Sequence, residues 1–303
     1  MSIPLKPLNQ QVMVITGASS GIGLATAEAA AAKGVKVVLA ARSKQALENI
    51  VQSIRSRGGE AYAVAADVAS REELERVAQE AVIRFGRIDT WVNNAGVSIY
   101  GRLDEISEQD SRRLFDTNFW GVYHGSLVAL HYLKTAGGAI INVGSEVSEA
   151  VIPLQGIYAA SKHAVKGFTD ALRVEIEEVS ELPVAITLIQ PTAVDTPYPQ
   201  HAKNYMPQEP KLPDPMIEPE KVAEAILAAA VSQTRALRVG TMSKVNTMTA
   251  KLMPKLADKL SSKQVDRQHY DEPPRNPNGA LYQPSEMTTM VGKKHGAGGT
   301  PPQ

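Results

Sequence analysis

The run from Val12 to Thr16 is short, apolar and β-branched. It passes without a break into Thr16-Gly17-Ala18-Ser19-Ser20-Gly21-Ile22-Gly23 and then an Ala-rich helical stretch ending at Lys33-Gly34. A strand that feeds a helix through a glycine loop opens a βαβ unit, which commits a chain to parallel strands joined by crossover helices. Gly17 permits a tight turn, and Gly21 and Gly23 let the main chain come close to a pyrophosphate. The helix start adds unpaired N–H groups and the positive end of a dipole. The loop is therefore the first candidate site, and its chemistry is phosphate binding.

The alternation continues downstream. Val35 to Ala40 reads as a second strand, Leu47, Ile50, Val51 and Ile54 recur at helical spacing, and Ala61 to Ala65 reads as a third strand. Ser70 and Glu73 form a capping box before a helix whose inner face is Leu74, Val77, Ala78, Ala81, Val82 and Phe85. Ile88 to Val92, Ala139 to Val143 and Val184 to Ile189 supply further strands, and Ser107 with Asp110 starts another helix. This pattern predicts a single α/β domain, a doubly wound parallel sheet with helices on both faces, the Rossmann fold. The expected divisions are an N-terminal arm over 1–11, the α/β domain over 12–240, an amphipathic helical extension over 241–272, and a Pro- and Gly-rich, poorly ordered tail over 273–303.

Composition acts as a set of exclusions. The 303 residues hold 32 Lys plus Arg against 32 Asp plus Glu, so no basic field is offered to nucleic acid. With no cysteine, disulfides, thiolate metal sites and Cys nucleophiles are out, and no metal site is expected. Met1 to Gln11 lacks the charged-then-apolar pattern of a secretory leader. The longest uncharged stretch, Thr117 to Leu133, carries Asn118, His124, Ser126 and His131, which suits a buried helix better than a membrane span. A cytoplasmic protein is expected.

Two local patterns carry chemistry. The second strand ends Ala40-Ala41-Arg42-Ser43, with no acid to bond a ribose 2′-hydroxyl. A guanidinium fork there matches a 2′-phosphate, so Arg42 favours NADP over NAD. Tyr158-Ala159-Ala160-Ser161-Lys162 sets a phenol and an ammonium at i and i+4 on one helix face. A nearby cation favours phenolate and brings a Tyr pKa down from about 10. Ser145 follows the strand Ala139 to Val143, at the carboxyl edge where such sheets bind ligands.

Together with Asn93-Asn94-Ala95-Gly96 and the Asn118 of Thr117-Asn118-Phe119-Trp120-Gly121, these motifs resemble the short-chain dehydrogenase/reductase family, in its short single-domain branch, over about residues 12–240. The resemblance implies hydride exchange between NADP(H) and a small carbonyl or alcohol substrate. It implies Tyr158 as general acid, Lys162 on the nicotinamide ribose and lowering the Tyr pKa, Ser145 as donor to the substrate oxygen, and Asn118 as holder of a water in a proton relay. Gly17, Ser19, Gly21, Ile22 and Gly23 would line the phosphates, with Arg42 and Ser43 at the adenosine ribose. Asp67 and Val68 would meet the adenine, and Asn94, Ala95 and Gly96 would form a cofactor-side turn. Pro191 to Thr196 matches the segment that meets the carboxamide, through Val194 and Thr196. A homodimer or homotetramer is also implied, paired through the helix of Trp120 and Tyr123 and the helix after Tyr158.

Three features depart from the family's usual pattern or extend it. Thr192 stands where Gly is usual, and a β-branched residue resists positive φ, so the loop beside the nicotinamide is expected to differ locally. Seven prolines between Pro197 and Pro219 rule out one long helix and suit a substrate lid, in which Tyr198, Tyr205, Met206, Leu212 and Met216 are pocket candidates. Residues 244–263 read as one amphipathic helix, with Met248, Leu252, Met253, Leu256 and Leu260 on one side and Lys244, Lys251, Lys255, Lys259 and Lys263 beside them. Such a helix suits packing on the domain, contact with another subunit, or peripheral membrane contact. The function expected is NADP(H)-dependent oxidoreduction. Its rivals are an NADPH-binding redox sensor and a membrane-recruited scaffold without turnover.

Overall fold

The structure, a computed structural model, describes residues 3–285 and 287–292. Along the chain run β1 (Val12–Thr16), α1 (Gly21–Ala32), β2 (Lys36–Ala41), α2 (Lys44–Ser56), β3 (Ala61–Ala65), α3 (Arg71–Phe85), β4 (Thr90–Asn93), β5 (Ile99–Tyr100), α4 (Glu108–Phe115), α5 (Gly121–Ala136), β6 (Gly138–Val143), α6 (Gly156–Arg173), β7 (Val184–Pro191), α7 (Tyr198–His201), β8 (Lys203–Asn204), α8 (Pro219–Ala229), β9 (Ala236–Val239), α9 (Thr241–Leu252) and α10 (Pro254–Ser262). Seven strands form one parallel sheet in the order β3-β2-β1-β4-β6-β7-β9, and β5 pairs with β8 apart from it. The strand order reverses at β1, which lies between β2 and β4. In sheets of this kind the crevice beyond the strand ends opens at such a switch point.

Side-chain alternation along the strands covers both faces, as expected. Met13, Ile15, Val37 and Leu39 pack with Leu24 of α1, Leu47 of α2 and Val222 of α8. Val12, Val14 and Val38 pack with Leu74 of α3, Val128 of α5 and Leu172 of α6. Each such side chain, fully buried, contributes about 1.5–3 kcal/mol before entropy is counted.

Three expectations differ from the structure. Ser70 accepts from the Glu73 N–H at 3.2 Å, but the Glu73 carboxylate turns to the Asp67 N–H at 3.0 Å, so only half of the capping box forms. The single helix over 244–263 is two helices, because Pro254 has no N–H to continue α9 and instead takes the first turn of α10. The tail expected to be poorly ordered is in part packed. Leu281 is fully buried against Val97, Ile99 and Leu114, the Asn204 N–H donates to the Pro277 carbonyl at 2.8 Å, and the Ala280 N–H donates to that of His201 at 2.8 Å. Low apolar content was outweighed by one well-placed leucine and paired main-chain groups. Residues 293–303 lie outside the described residues.

Candidate active site

One cleft crosses the carboxyl edge of the sheet. The catalytic and cofactor candidates from the sequence line it, except Gly23 and Asn118, which stand behind the wall; of the lid candidates Tyr198 and Leu212 line it, whereas Tyr205, Met206 and Met216 do not. Gly17 holds φ +65°, and a Cβ on Gly23 would lie 2.2 Å from the Gly17 carbonyl oxygen, so both positions need glycine for the loop to turn and for α1 to close against it. Asn94 fixes this loop from the β4 end: its Nδ2 donates to the carbonyls of Thr16 (3.0 Å) and Gly17 (3.2 Å), while the N–H groups of Asn94 and Ala95 donate to Thr16 Oγ1. The β7 loop meets the same place, with the Thr196 methyl against Gly21 and Thr196 Oγ1 donating to the Val194 carbonyl. Ser19 and Ile22 face the cleft beside the start of α1, where the Gly21 N–H donates to the Thr289 carbonyl at 2.9 Å.

At the other end, Tyr158 and Lys162 project from the first turns of α6. The phenol lies beside the hydroxyls of Ser145 and Tyr198, and the two tyrosine rings pack edge to face at 5.4 Å. Lys162 Nζ lies 5.7 Å from the Tyr158 ring centroid and donates to the Val143 carbonyl at 2.9 Å. Burial pushes the Tyr158 phenol up to about 12, with the nearby Ser145 and Tyr198 hydroxyls pulling the other way. Burial also brings Lys162 down to about 8. The expected lowering of the tyrosine by the lysine is thus not the balance seen in this structure. The ammonium is aimed at a main-chain carbonyl, and desolvation of the phenol dominates.

Ser145 ends its strand as a cap: its Oγ accepts from the Val147 N–H at 3.3 Å, and Ser148 returns the bond to the Ser145 N–H at 3.1 Å. Asn118 lies in a π-turn, Asp116–Trp120, between α4 and α5. Its Oδ1 accepts from the Val97 N–H (2.8 Å), and its Nδ2 donates to the Val97 carbonyl (3.0 Å) and to Ser161 Oγ (3.1 Å). Its side chain therefore clamps the Gly96–Val97 segment beneath Lys162 rather than facing the cleft. Thr192 is buried with negative φ, and its methyl occupies the space that a Cβ on Gly240 would need, 2.5 Å away. The missing family glycine is thus accommodated by a glycine between β9 and α9.

The Arg42 end of the cleft differs most from expectation. Arg42 does project into the cleft, but its guanidinium donates to the carbonyls of Ala280, Leu281 (3.2 Å) and Tyr282 (3.1 Å). Ser43 caps α2 by accepting from the Ala46 N–H, and Asp67, beside Val68, accepts from Ala69 and pairs with Arg113. Sequence reasoning missed His201, Gln155 and Gln268. His201 lines the cleft beside Arg42, and burial together with that cation brings its imidazole down to about 4. Gln155 accepts from the Tyr198 hydroxyl (2.8 Å) and donates to Gln268 (2.8 Å), extending the Tyr158 network into the C-terminal extension. Nothing local distinguishes these residues in the sequence; only distant packing assembles them. The cleft fits a dinucleotide: a glycine cradle at a helix start, free cationic N–H groups at one end, and a phenol with an ammonium at the other.

Residues 11–206 match the family model for short chain dehydrogenase, well over half of the chain. The chain belongs to the short-chain dehydrogenase family. It is 44% identical over 285 residues to the uncharacterized oxidoreductase YxnA of Bacillus subtilis, covering 92% of this chain and 80% of that protein, a span that runs past residue 240 into the C-terminal extension. It is 36% identical over 188 residues to 11-beta-hydroxysteroid dehydrogenase A of Sesamum indicum, covering 61% of this chain and 53% of that protein. Among solved structures, a short chain dehydrogenase/reductase from Burkholderia phymatum in complex with NAD superposes with a TM-score of 0.75 at 27% identity, covering 83% of this chain and 96% of that one. An alcohol dehydrogenase from the archaeon Thermococcus sibiricus, complexed with 5-hydroxy-NADP, superposes with a TM-score of 0.66 at 30% identity, covering 76% and 95%. The chain is thus an oxidoreductase of a family whose solved members named above hold nicotinamide nucleotides.

Proposed function

We propose that this oxidoreductase reduces a carbonyl to an alcohol with NADPH. The observation that carries the reading is the placement of the Tyr158 phenol, Ser145 and Lys162 in one cleft with the glycine loop at the carboxyl edge of the sheet. When bound, the nicotinamide supplies the hydride. Tyr158 hands its proton to the carbonyl oxygen, and Ser145 donates a hydrogen bond to the same oxygen as charge develops. Lys162 holds the nicotinamide ribose and keeps positive charge near the phenol. Asn118 keeps the Gly96–Val97 floor in place. Arg42 favours NADP through the 2′-phosphate. Val147, Ile152, Leu212 and Tyr198 give the substrate end an apolar lining, and relatives are named for hydroxysteroids, so a lipophilic ketone is the first class to try. Steady-state NADPH oxidation over ketones, aldehydes and quinones tests the reading; tight nucleotide binding with no turnover would favour a sensor.

The pH profile follows from the lysine. Tyr158 keeps its proton throughout the working range, whereas Lys162 loses its charge above about 8. We expect kcat/KM for reduction to hold below that pH and to fall about tenfold per unit above it, as the fraction of charged lysine falls. In Lys162→Arg the falling limb should move beyond pH 10, because guanidinium stays charged. A flat profile to pH 10 in the unmodified enzyme would remove the lysine charge from the mechanism.

The same reading includes peripheral contact with an anionic bilayer. In α9 and α10, Met248 (64% exposed), Leu252 (69%), Leu256 and Leu260 face outward, and α10 buries no residue. Lys244, Lys251, Lys255, Lys259 and Lys263 flank them against a single acid, Asp258, and form no ion pair among the described residues. Apolar area ringed by cations fits anionic headgroups. We expect the protein to co-sediment with phosphatidylglycerol vesicles but not with phosphatidylcholine, and Leu252→Glu/Leu256→Glu to abolish this. Dimer loss on the same substitution, without lipid dependence, would assign the face to a second copy. Assembly through α5 and the π-turn before it, where Trp120 is 44% exposed, belongs to the family reading and is checked by light scattering.

A further inference from the structure

We propose that the C-terminal segment 279–285 is the outer wall of a ribose 2′-phosphate subsite, with Arg42 as its cation and His201 as its inner side, and that this wall sets the preference between NADP and NAD. The inference rests on the NADPH reading above and assigns cofactor selection to a part of the chain beyond the family's matched region, residues 11–206.

The segment is anchored on both sides of the cleft. Its start is tied down by the Pro277 carbonyl, which accepts from the Asn204 N–H, and by the Ala280 N–H, which donates to the His201 carbonyl. Leu281 is fully buried against β5 and α4. The Tyr282 hydroxyl donates to Asp110 at 2.7 Å, and Arg113 Nε donates to the Leu281 carbonyl at 3.2 Å. Farther on, the Thr289 carbonyl accepts from the Gly21 N–H at 2.9 Å, and the Gly292 N–H donates to Asp195. The segment therefore crosses from the β8 side, past the end of β2, to the start of α1. Ala280, Pro284 and Ser285 face the cleft along the way.

Its effect on Arg42 is specific. A guanidinium has five N–H donors in one plane. The carbonyls of Ala280, Leu281 and Tyr282 take three of them, two from Nη1 and one from Nη2. Nε and one Nη2 hydrogen make no bond among the described residues, so two charged donors remain for the oxygens of a phosphate. No carboxylate pairs with Arg42 among the described residues; the nearby Asp67 is held by Arg113. A half-buried cation whose direct partners are main-chain carbonyls, and which shares the nearby Asp67 with Arg113, is short of negative charge that a phosphomonoester would provide. His201 supplies an independent sign of a ligand. Its Nε2 is buried without a partner, and its ring lines the cleft beside Arg42 and Ala280. A neutral imidazole there can donate one hydrogen bond to a phosphate oxygen.

Binding of NADPH, NADH and adenosine 2′,5′-bisphosphate to the full-length chain, measured by calorimetry, tests this, together with hydrogen exchange at 279–285. The wall is displaced in Gly279→Val, because a Cβ there would lie 2.4–2.5 Å from the carbonyls of Ala202 and His201. A milder second variant, His201→Phe, removes only the inner donor. In the unmodified protein NADPH should bind at least about tenfold tighter than NADH, as expected for a charge-assisted contact, and NADPH or the bisphosphate should slow exchange at 279–285 more than NADH does. Gly279→Val should lose the NADPH preference with NADH affinity changed only a few-fold, and His201→Phe should lose part of it. A Gly279→Val protein that is folded by circular dichroism, exchanges fast at 279–285 and keeps or raises its NADPH preference would overturn the wall, because the segment would then be idle or a blocker. Equal NADPH and NADH affinity in the unmodified protein would instead sink the NADPH reading, and the subsite with it.

Discussion

Replacing Tyr158 by Phe is expected to lower kcat/KM for carbonyl reduction by about 10²–10⁴-fold, the range seen when a positioned general acid is removed. Only the hydroxyl goes. The ring keeps its edge contact with Tyr198 at 5.4 Å, so the wall of the cleft stays in place and nucleotide affinity should change only a few-fold. Tyr198 is the neighbouring phenol, but its hydroxyl donates to Gln155 at 2.8 Å, and burial beside Tyr158 and Tyr100 holds it well above the usual tyrosine range, so it is a poor substitute acid. Turnover from NADPH absorbance, with calorimetry on the same variant, separates the outcomes. Lost turnover with retained binding supports the assignment. Retained turnover removes Tyr158 from the chemistry, and lost binding makes its role structural.

Arg42→Ala is expected to weaken NADPH by about 10- to 150-fold and NADH by only a few-fold, because a hydrogen bond to a charged group contributes roughly 1.5–3 kcal/mol and each 1.4 kcal/mol is a factor of ten. The substitution also frees the carbonyls of Ala280, Leu281 and Tyr282. Those groups lie near the cleft surface, where water replaces the lost donors, so the cost to folding should be small. Titration by nicotinamide fluorescence gives both affinities on one sample. Equal losses for the two nucleotides would mean that Arg42 serves the segment and not the 2′-phosphate.

Much of the architecture was legible because it depends on local periodicity. Val12 and Val14 face one side of the sheet and Met13 and Ile15 the other, and that alternation with helical runs between strands can be read without coordinates. The glycine loop was legible because strand, loop and helix are contiguous. Tyr158 and Lys162 were legible because they share one helix face. Pro254 was in plain view, yet the apolar spacing on either side of it outweighed it in the reading of one continuous helix.

What depended on distant parts of the chain was not legible. Residue type alone placed Arg42 at a nucleotide, but its partners lie more than two hundred positions away, in a segment whose composition argued for disorder. Gln268, from the extension, reaches the Tyr158 network through Gln155 and Tyr198, and His201 gains its character only from burial beside Arg42. The sign of the Tyr158 shift was likewise decided in three dimensions, because proximity along a helix does not reveal that the ammonium turns to the Val143 carbonyl or how far the phenol is removed from water. The sequence by itself determined the parallel sheet and the family, since local spacing encodes them. Only the tertiary structure decided how far the candidate phenol and lysine are removed from water and how the C-terminal segment encloses the Arg42 end of the cleft, since desolvation and long-range main-chain pairing exist only once the chain has folded.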